Sequence, residues 1–144
     1  MFVTMFCGIL NTKTGEVLYA NGGHNPPLLI KRKTGEVSYL NPEPGLMVGA
    51  FEGITYNSGR FLLAPGDIIF LYTDGVTEAM NVQENFFSSE RLKDVLSSMN
   101  KDNPVRLIVS DVMGEVISFA GSAPQSDDIT IMSLEFRGNG NKTD

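Results

Sequence analysis

At 144 residues, with 42% hydrophobic and 19% charged side chains, the chain has the balance of one soluble globular domain and not of a disordered or fibrous protein. Seventeen acidic side chains against eleven basic ones give a net charge of −6, which repels nucleic acid and anionic membranes and favours a hard cation as partner. No apolar run approaches the roughly 18 to 20 residues that span a bilayer, and the N-terminus has no basic-then-apolar signal pattern, so a cytoplasmic location is expected.

The first elements read as strands at about 2 to 10, 16 to 21, 27 to 32 and 36 to 40. The only cysteine, Cys7, lies in the apolar run "MFVTMFCGIL"; it has no disulfide partner, and its expected role is packing. "KTGEV" occurs at Lys13 to Val17 and again at Lys33 to Val37, and each Thr-Gly reads as a hairpin turn in which glycine supplies the positive φ. Between the second and third strands, "NGGHNPP" forms a rigid, irregular connection around the only histidine, His24.

A second irregular stretch, "NPEPGLMVGAFEG", precedes strands at about 54 to 63 and 67 to 73. These are joined by "APGD", where Pro65 and Gly66 suit the centre of a type II turn and Asp67 reads as a turn residue and nothing more. After Gly75 the period changes. In "SSERLKDVLSSM", Leu92, Val95, Leu96 and Met99 recur at helical spacing, with Ser88 or Ser89 as cap. A second helix is expected over about 104 to 120, with Asn103 as N-cap, Pro104 as first helical residue, and Leu107, Ile108, Val112, Val116, Ile117 and Phe119 on its apolar face.

The last strand, about 129 to 136 in "ITIMSLEF", has apolar residues on both faces, which points to an interior position. "RGNGNKTD" has nothing to bury and is expected to fray, leaving a domain over residues 1–136 and a disordered tail over 137–144. Six or seven antiparallel strands, with two helices between the sixth and the last, make an α+β layered domain.

Two acidic sites stand out. Asp74 ends the most apolar strand, in "FLYTDG", while Asp127 and Asp128 begin the last one. If the two strands are antiparallel neighbours, these carboxylates meet, and they repel unless a cation, proton or arginine lies between them. Such oxygen-rich clusters suit Mg²⁺ or Mn²⁺; one histidine and one cysteine far apart make no zinc site. The plainer alternative is that all three aspartates only make turns. His24 reads first as a hydrogen-bonded loop organiser, and Glu78 as a solvated residue or an outer acceptor. Neither a glycine-rich nucleotide loop nor a G-x-S-x-G elbow occurs.

"MFVTMFCGILN", "LYANGGHNPPLL", "LAPGDIIFLYTDGVTEAMN" and "SDDITIMSLEF", in that order, resemble the C-terminal part of bacterial metal-dependent serine/threonine phosphatases. These belong to the sporulation stage II E and sigma-factor regulator group, within the type-2C (PPM-type) superfamily. The resemblance covers nearly all of residues 1 to 136. It implies an α-β-β-α sandwich of antiparallel sheets with a binuclear Mn²⁺ or Mg²⁺ centre at one end. There, a metal-activated water attacks the phosphorus of a phosphoserine or phosphothreonine on a regulatory protein.

Carried over by residue, the resemblance makes Asp74 and Asp127 metal ligands, puts Asp128 and Gly75 just outside them, and sets His24 near an additional weak metal position. A Gly-Asp-x-x-Asp segment that supplies further ligands in the family is not in this sequence. The chain is therefore expected to hold an N-terminally incomplete domain, to be poorly active alone, and to self-associate through an uncovered sheet face. Two other readings stay open: a non-catalytic interaction module that keeps the sandwich, and an unrelated β-rich binding domain.

Overall fold

The computed structural model describes residues 2–40, 45–100 and 102–138. Among these residues seven strands and three helices run in the order β1 (Met5–Leu10), β2 (Glu16–Gly22), β3 (Leu28–Lys31), β4 (Glu36–Tyr39), β5 (Ser58–Leu62), β6 (Ile68–Tyr72), α1 (Asp74–Thr77), α2 (Ser89–Ser98), α3 (Val105–Ala120) and β7 (Ile131–Glu135). All pairings between strands are antiparallel. They build a three-stranded sheet, β1-β2-β5, and a four-stranded sheet, β4-β3-β6-β7.

The two copies of "KTGEV" fold alike. Gly15 and Gly35 take φ of 81° and 75°, and their amides close the turns onto the carbonyls of Asn11 and Lys31. In each copy the threonine hydroxyl accepts the amide of the glutamate two residues on, Thr14 from Glu16 and Thr34 from Glu36. The same five residues thus produce the same device twice.

The central strands of the four-stranded sheet, β3 and β6, are buried on both faces, and this explains their continuous apolar runs. Alternate residues of a strand point to opposite sides. Leu28, Ile30, Ile68, Phe70 and Tyr72 therefore pack against Leu92 and Leu96 of α2 and Ile108, Val112 and Val116 of α3. Leu29 and Ile69 point the other way and meet Val17, Leu63 and Phe136 in a second core between the sheets. Each fully buried side chain of this kind contributes about 1.5 to 3 kcal/mol. The layers are thus sheet, sheet and helices, the sandwich architecture expected. The outer face of the three-stranded sheet carries Ile9, Leu18 and Leu62 in contact with solvent, at 69%, 44% and 62% exposure.

Several expectations need correction. Cys7 is exposed on β1 and packs into no core. Among the described residues β7 pairs on one side only, with β6, and its apolar second face carries Met132 and Leu134 in contact with solvent. Both helices form, and Ser88 caps α2 by accepting the Arg91 amide. In α3 the N-cap is Pro104 itself, one residue later than expected, and Leu107 and Ile117 are exposed while Ile108, Val112 and Val116 are buried. Of the strand expected at 54 to 63 only β5 forms, and β1 starts at Met5, with Val3 bridging to Val48. The tail beyond Gly138 lies outside the described residues.

Asp67 is more than a turn residue. The turn forms, with Gly66 at φ 94° and the Asp67 amide on the Ala64 carbonyl. The side chain, only 2% exposed, also accepts from Lys31 Nζ at 2.8 Å and from the amides of Ala64 and Arg32 at 3.0 and 3.2 Å. A carboxylate can be buried there because its lone pairs meet both a cation and two backbone donors.

Candidate functional site

β6 and β7 are antiparallel neighbours, with Tyr72 opposite Ile131, so the chain leaving β6 runs beside the chain entering β7. The ladder continues one step past the strands: the Thr73 amide donates to the Thr130 carbonyl at 3.0 Å. The Thr73 hydroxyl then accepts the Thr130 amide at 2.9 Å and donates to the Asp128 carbonyl at 3.0 Å. Because this hydroxyl is spent across the sheet end, it makes no side-chain cap for α1, which starts at Asp74.

Gly75 explains itself by close approach. Its φ is not in the left-handed region, but a Cβ placed on it would run into the Asp128 carbonyl oxygen and stand 2.9 Å from the Asp128 carbonyl carbon. Further along, Ser126 Oγ donates to the Glu78 carbonyl at 3.3 Å, and Gln125 Nε2 donates to the Asp127 carbonyl at 2.7 Å. The turn that carries Asp74 and the turn that carries Asp127 and Asp128 are therefore stitched together through backbone atoms on both sides of Gly75.

Both candidate ligands are exposed. Asp74 Oδ1 accepts its neighbour's amide, Gly75, at 3.1 Å, and Asp127 Oδ1 accepts that of Asp128 at 2.7 Å. Each keeps a second oxygen with no donor among the described residues. Two carboxylates on adjoining turns, each with an oxygen to spare, make an all-oxygen donor set, which fits a hard divalent cation. Among the described residues there is no group of three or more acidic, histidine or cysteine side chains arranged for a metal. The fit is that of a two-carboxylate share of a site.

His24 sits at the same end of the sheet as Asp74, since Leu28 pairs with Phe70 and the loop before β3 lies beyond that pair. Its own bonds are local: the ring Nδ1 meets the Asn25 carbonyl at 2.9 Å, and no contact joins it to Asp74 or Asp127 among the described residues. What organises the loop is Asn21, 5% exposed, whose side-chain amide accepts the His24 amide and donates to the His24 carbonyl, both at 2.8 Å. Asn21, Thr73 and Ser126 do not stand out in the sequence as functional residues. Small polar residues next to a glycine or a candidate aspartate are the available signal, but nothing local says which distant backbone they meet.

The matches to known proteins agree with the fold. The family model for Stage II sporulation protein E (SpoIIE) matches residues 1–137. Phosphoserine phosphatase RsbU of Bacillus subtilis is 35% identical over 78 residues, covering 54% of this chain and 23% of that protein. Among solved structures, the RsbU and RsbW domains of a Mycobacterium tuberculosis protein superpose with a TM-score of 0.76 at 26% identity, over 92% of this chain and 35% of that one. The phosphatase domain of SpoIIE from Bacillus subtilis superposes at 0.72 with 18% identity, over 96% of this chain and 60% of that one, a likeness of fold. The chain spans about a fifth of the length of the curated relatives it matches, 20% and 23%. On the family model, which takes in the strands, the helices and both aspartate turns, the chain belongs to the SpoIIE family of type-2C-like phosphatase domains.

Proposed function

We propose that this chain forms part of a metal-dependent protein serine/threonine phosphatase domain that removes phosphate from a phosphoserine or phosphothreonine of a regulatory protein. The observation that carries the reading is the stitching of the two turns by Thr73, which holds Asp74 and Asp127 at one sheet end with an oxygen each to spare. Asp74 and Asp127 would hold Mn²⁺ or Mg²⁺, two ions in a complete centre, with Asp128 and Gly75 fixing the backbone beneath them and His24 near a further weak position. When bound, the ions supply Lewis-acid charge for the phosphate oxygens. The chain's own part is to hold and orient the two carboxylates and to leave one face of them open to a phosphoester.

Two carboxylates alone should hold Mg²⁺ weakly, because that ion dehydrates reluctantly, so turnover by this chain alone should be low. Titration calorimetry with Mn²⁺ tests the site. Asp74→Asn and Asp127→Asn should each abolish most of the binding heat, and unchanged heat would leave the aspartates as turn residues. A His24→Ala protein with unaltered metal dependence would remove His24 from the site.

A second reading, a non-catalytic interaction module, is favoured by the open apolar face that carries Ile9, Leu18 and Leu62. Release of phosphate from a phosphoserine peptide at a rate that falls with Asp74→Asn would exclude it.

A further inference from the structure

Beside the two aspartate turns lies a pocket of about 180 Å³, room for roughly six waters or one large side chain. One wall is Gly75, directly after Asp74, and another is Ser126, directly before Asp127. The rest is largely apolar, including Met80, Met113, Ile117 and Ala123, and none of the described residues that line it is charged.

The walls are fixed by bonds of their own. Ser126 Oγ ties the loop to the Glu78 carbonyl, the Ala123 amide closes onto the Ala120 carbonyl at 3.1 Å, and the Gly121 amide caps α3 on the Ile117 carbonyl. The pocket is thus a made feature of the loop between α3 and β7. Its chemistry is the opposite of that of Asp74 and Asp127, which adjoin two of its lining residues in the chain. A phosphate and its cation belong with those carboxylates, and the apolar hollow would reject both. The two methionines give it walls that adapt to the shape of an occupant.

We infer that this pocket receives an apolar side chain of the phosphoprotein substrate, two to four residues from the phosphorylated one, and so selects which phosphoserine or phosphothreonine is presented to Asp74 and Asp127. The inference depends on the phosphatase reading for the identity of the occupant. The spacing follows from the adjacency of pocket wall and carboxylate in the chain. An extended peptide advances about 3.3 Å per residue, so residues two to four away reach across one such hollow. Selection of this type is binding energy from a part of the substrate that does not react.

The test is peptide binding in the presence of Mn²⁺, by fluorescence anisotropy, with the intact 144-residue chain. A leucine is moved through every position from four before to four after a phosphoserine in a Gly-Ser peptide. One position should tighten binding about tenfold over the leucine-free phosphopeptide. Ala123→Phe, which fills the pocket, should erase that gain and leave the leucine-free phosphopeptide unchanged. Ala120→Leu fills it from the helix and serves if the loop variant melts early by circular dichroism. No preferred position, or a gain that survives both fillings, overturns the proposal. The unphosphorylated leucine peptide separates the two readings: retention of the pocket-dependent gain without any effect of phosphate would keep the pocket and sink the phosphate site.

Discussion

Gly75 and Asp128 pack backbone against backbone, with room for hydrogen alone between the glycine Cα and the Asp128 carbonyl. The contact fixes how near the two aspartate turns lie, so the side chain that glycine lacks is what the site cannot accommodate. Gly75→Ala should push the turns apart, lower the unfolding free energy by about 1 to 3 kcal/mol, and weaken Mn²⁺ binding more than it weakens folding. Chemical denaturation together with metal calorimetry measures both. An alanine variant with native stability and metal affinity would show that the turns have slack.

Asp67 tests the opposite end of the same sheet. Removing its carboxylate leaves Lys31 Nζ and the amides of Ala64 and Arg32 without their partner in a nearly closed position. Lys31 is 30% exposed and recovers some hydration, so Asp67→Ala should cost about 2 to 3 kcal/mol, below the value for a wholly buried pair. Asp67→Asn keeps a single acceptor oxygen, and since the two amides bond to different carboxylate oxygens it can serve only one of them, so it should recover only part of that cost. The measurement is a urea titration at neutral pH.

Tyr39 and Tyr72 make the fold sensitive to alkali. Burial, ahead of their mutual contact, pushes the ionisation of the Tyr72 phenol far above its ordinary value of 10.0, and burial likewise raises that of Tyr39, whose hydroxyl donates to the Ser89 carbonyl at 2.7 Å. The folded state keeps these protons where the unfolded chain loses them, so their contribution is whole below about pH 10 and declines as pH rises above it. Unfolding free energy should therefore fall between pH 9 and 11, and more gently in Tyr72→Phe. An identical slope in that variant would assign the alkaline loss elsewhere.

The open face of the three-stranded sheet should make this chain associate. Ile9 stands opposite Leu18 in the β1–β2 register, which places two exposed apolar side chains side by side. Adjacent apolar residues of this kind on a sheet face drive contact with another surface. Sedimentation velocity should show mass rising with concentration, and Leu18→Lys should reduce it. A monomer at every concentration would contradict the expectation.

The sequence announced most of the strands because a residue's neighbours decide them. "KTGEV" needs only glycine at positive φ, and the period-two and helical spacings are local as well. The same locality explains the failures. "ITIMSLEF" has apolar residues on both faces whether it lies inside a sheet or at its edge, and only the order β4-β3-β6-β7 makes it an edge. Asp67 reads as a turn in any sequence containing "APGD"; Lys31, which makes its carboxylate structural, is 36 residues away.

By itself, then, the sequence determined the elements, the glycine turns, and the likeness that singled out Asp74 and Asp127, because these depend on nearest neighbours and on motif. Only the tertiary structure decided that Thr73 reaches Asp128 and Thr130, that Gly75 is there for a backbone contact, and that an apolar hollow opens next to both aspartates. Those are meetings of segments about fifty residues apart, set by the register of β6 on β7, and register is a property of the packed sheet.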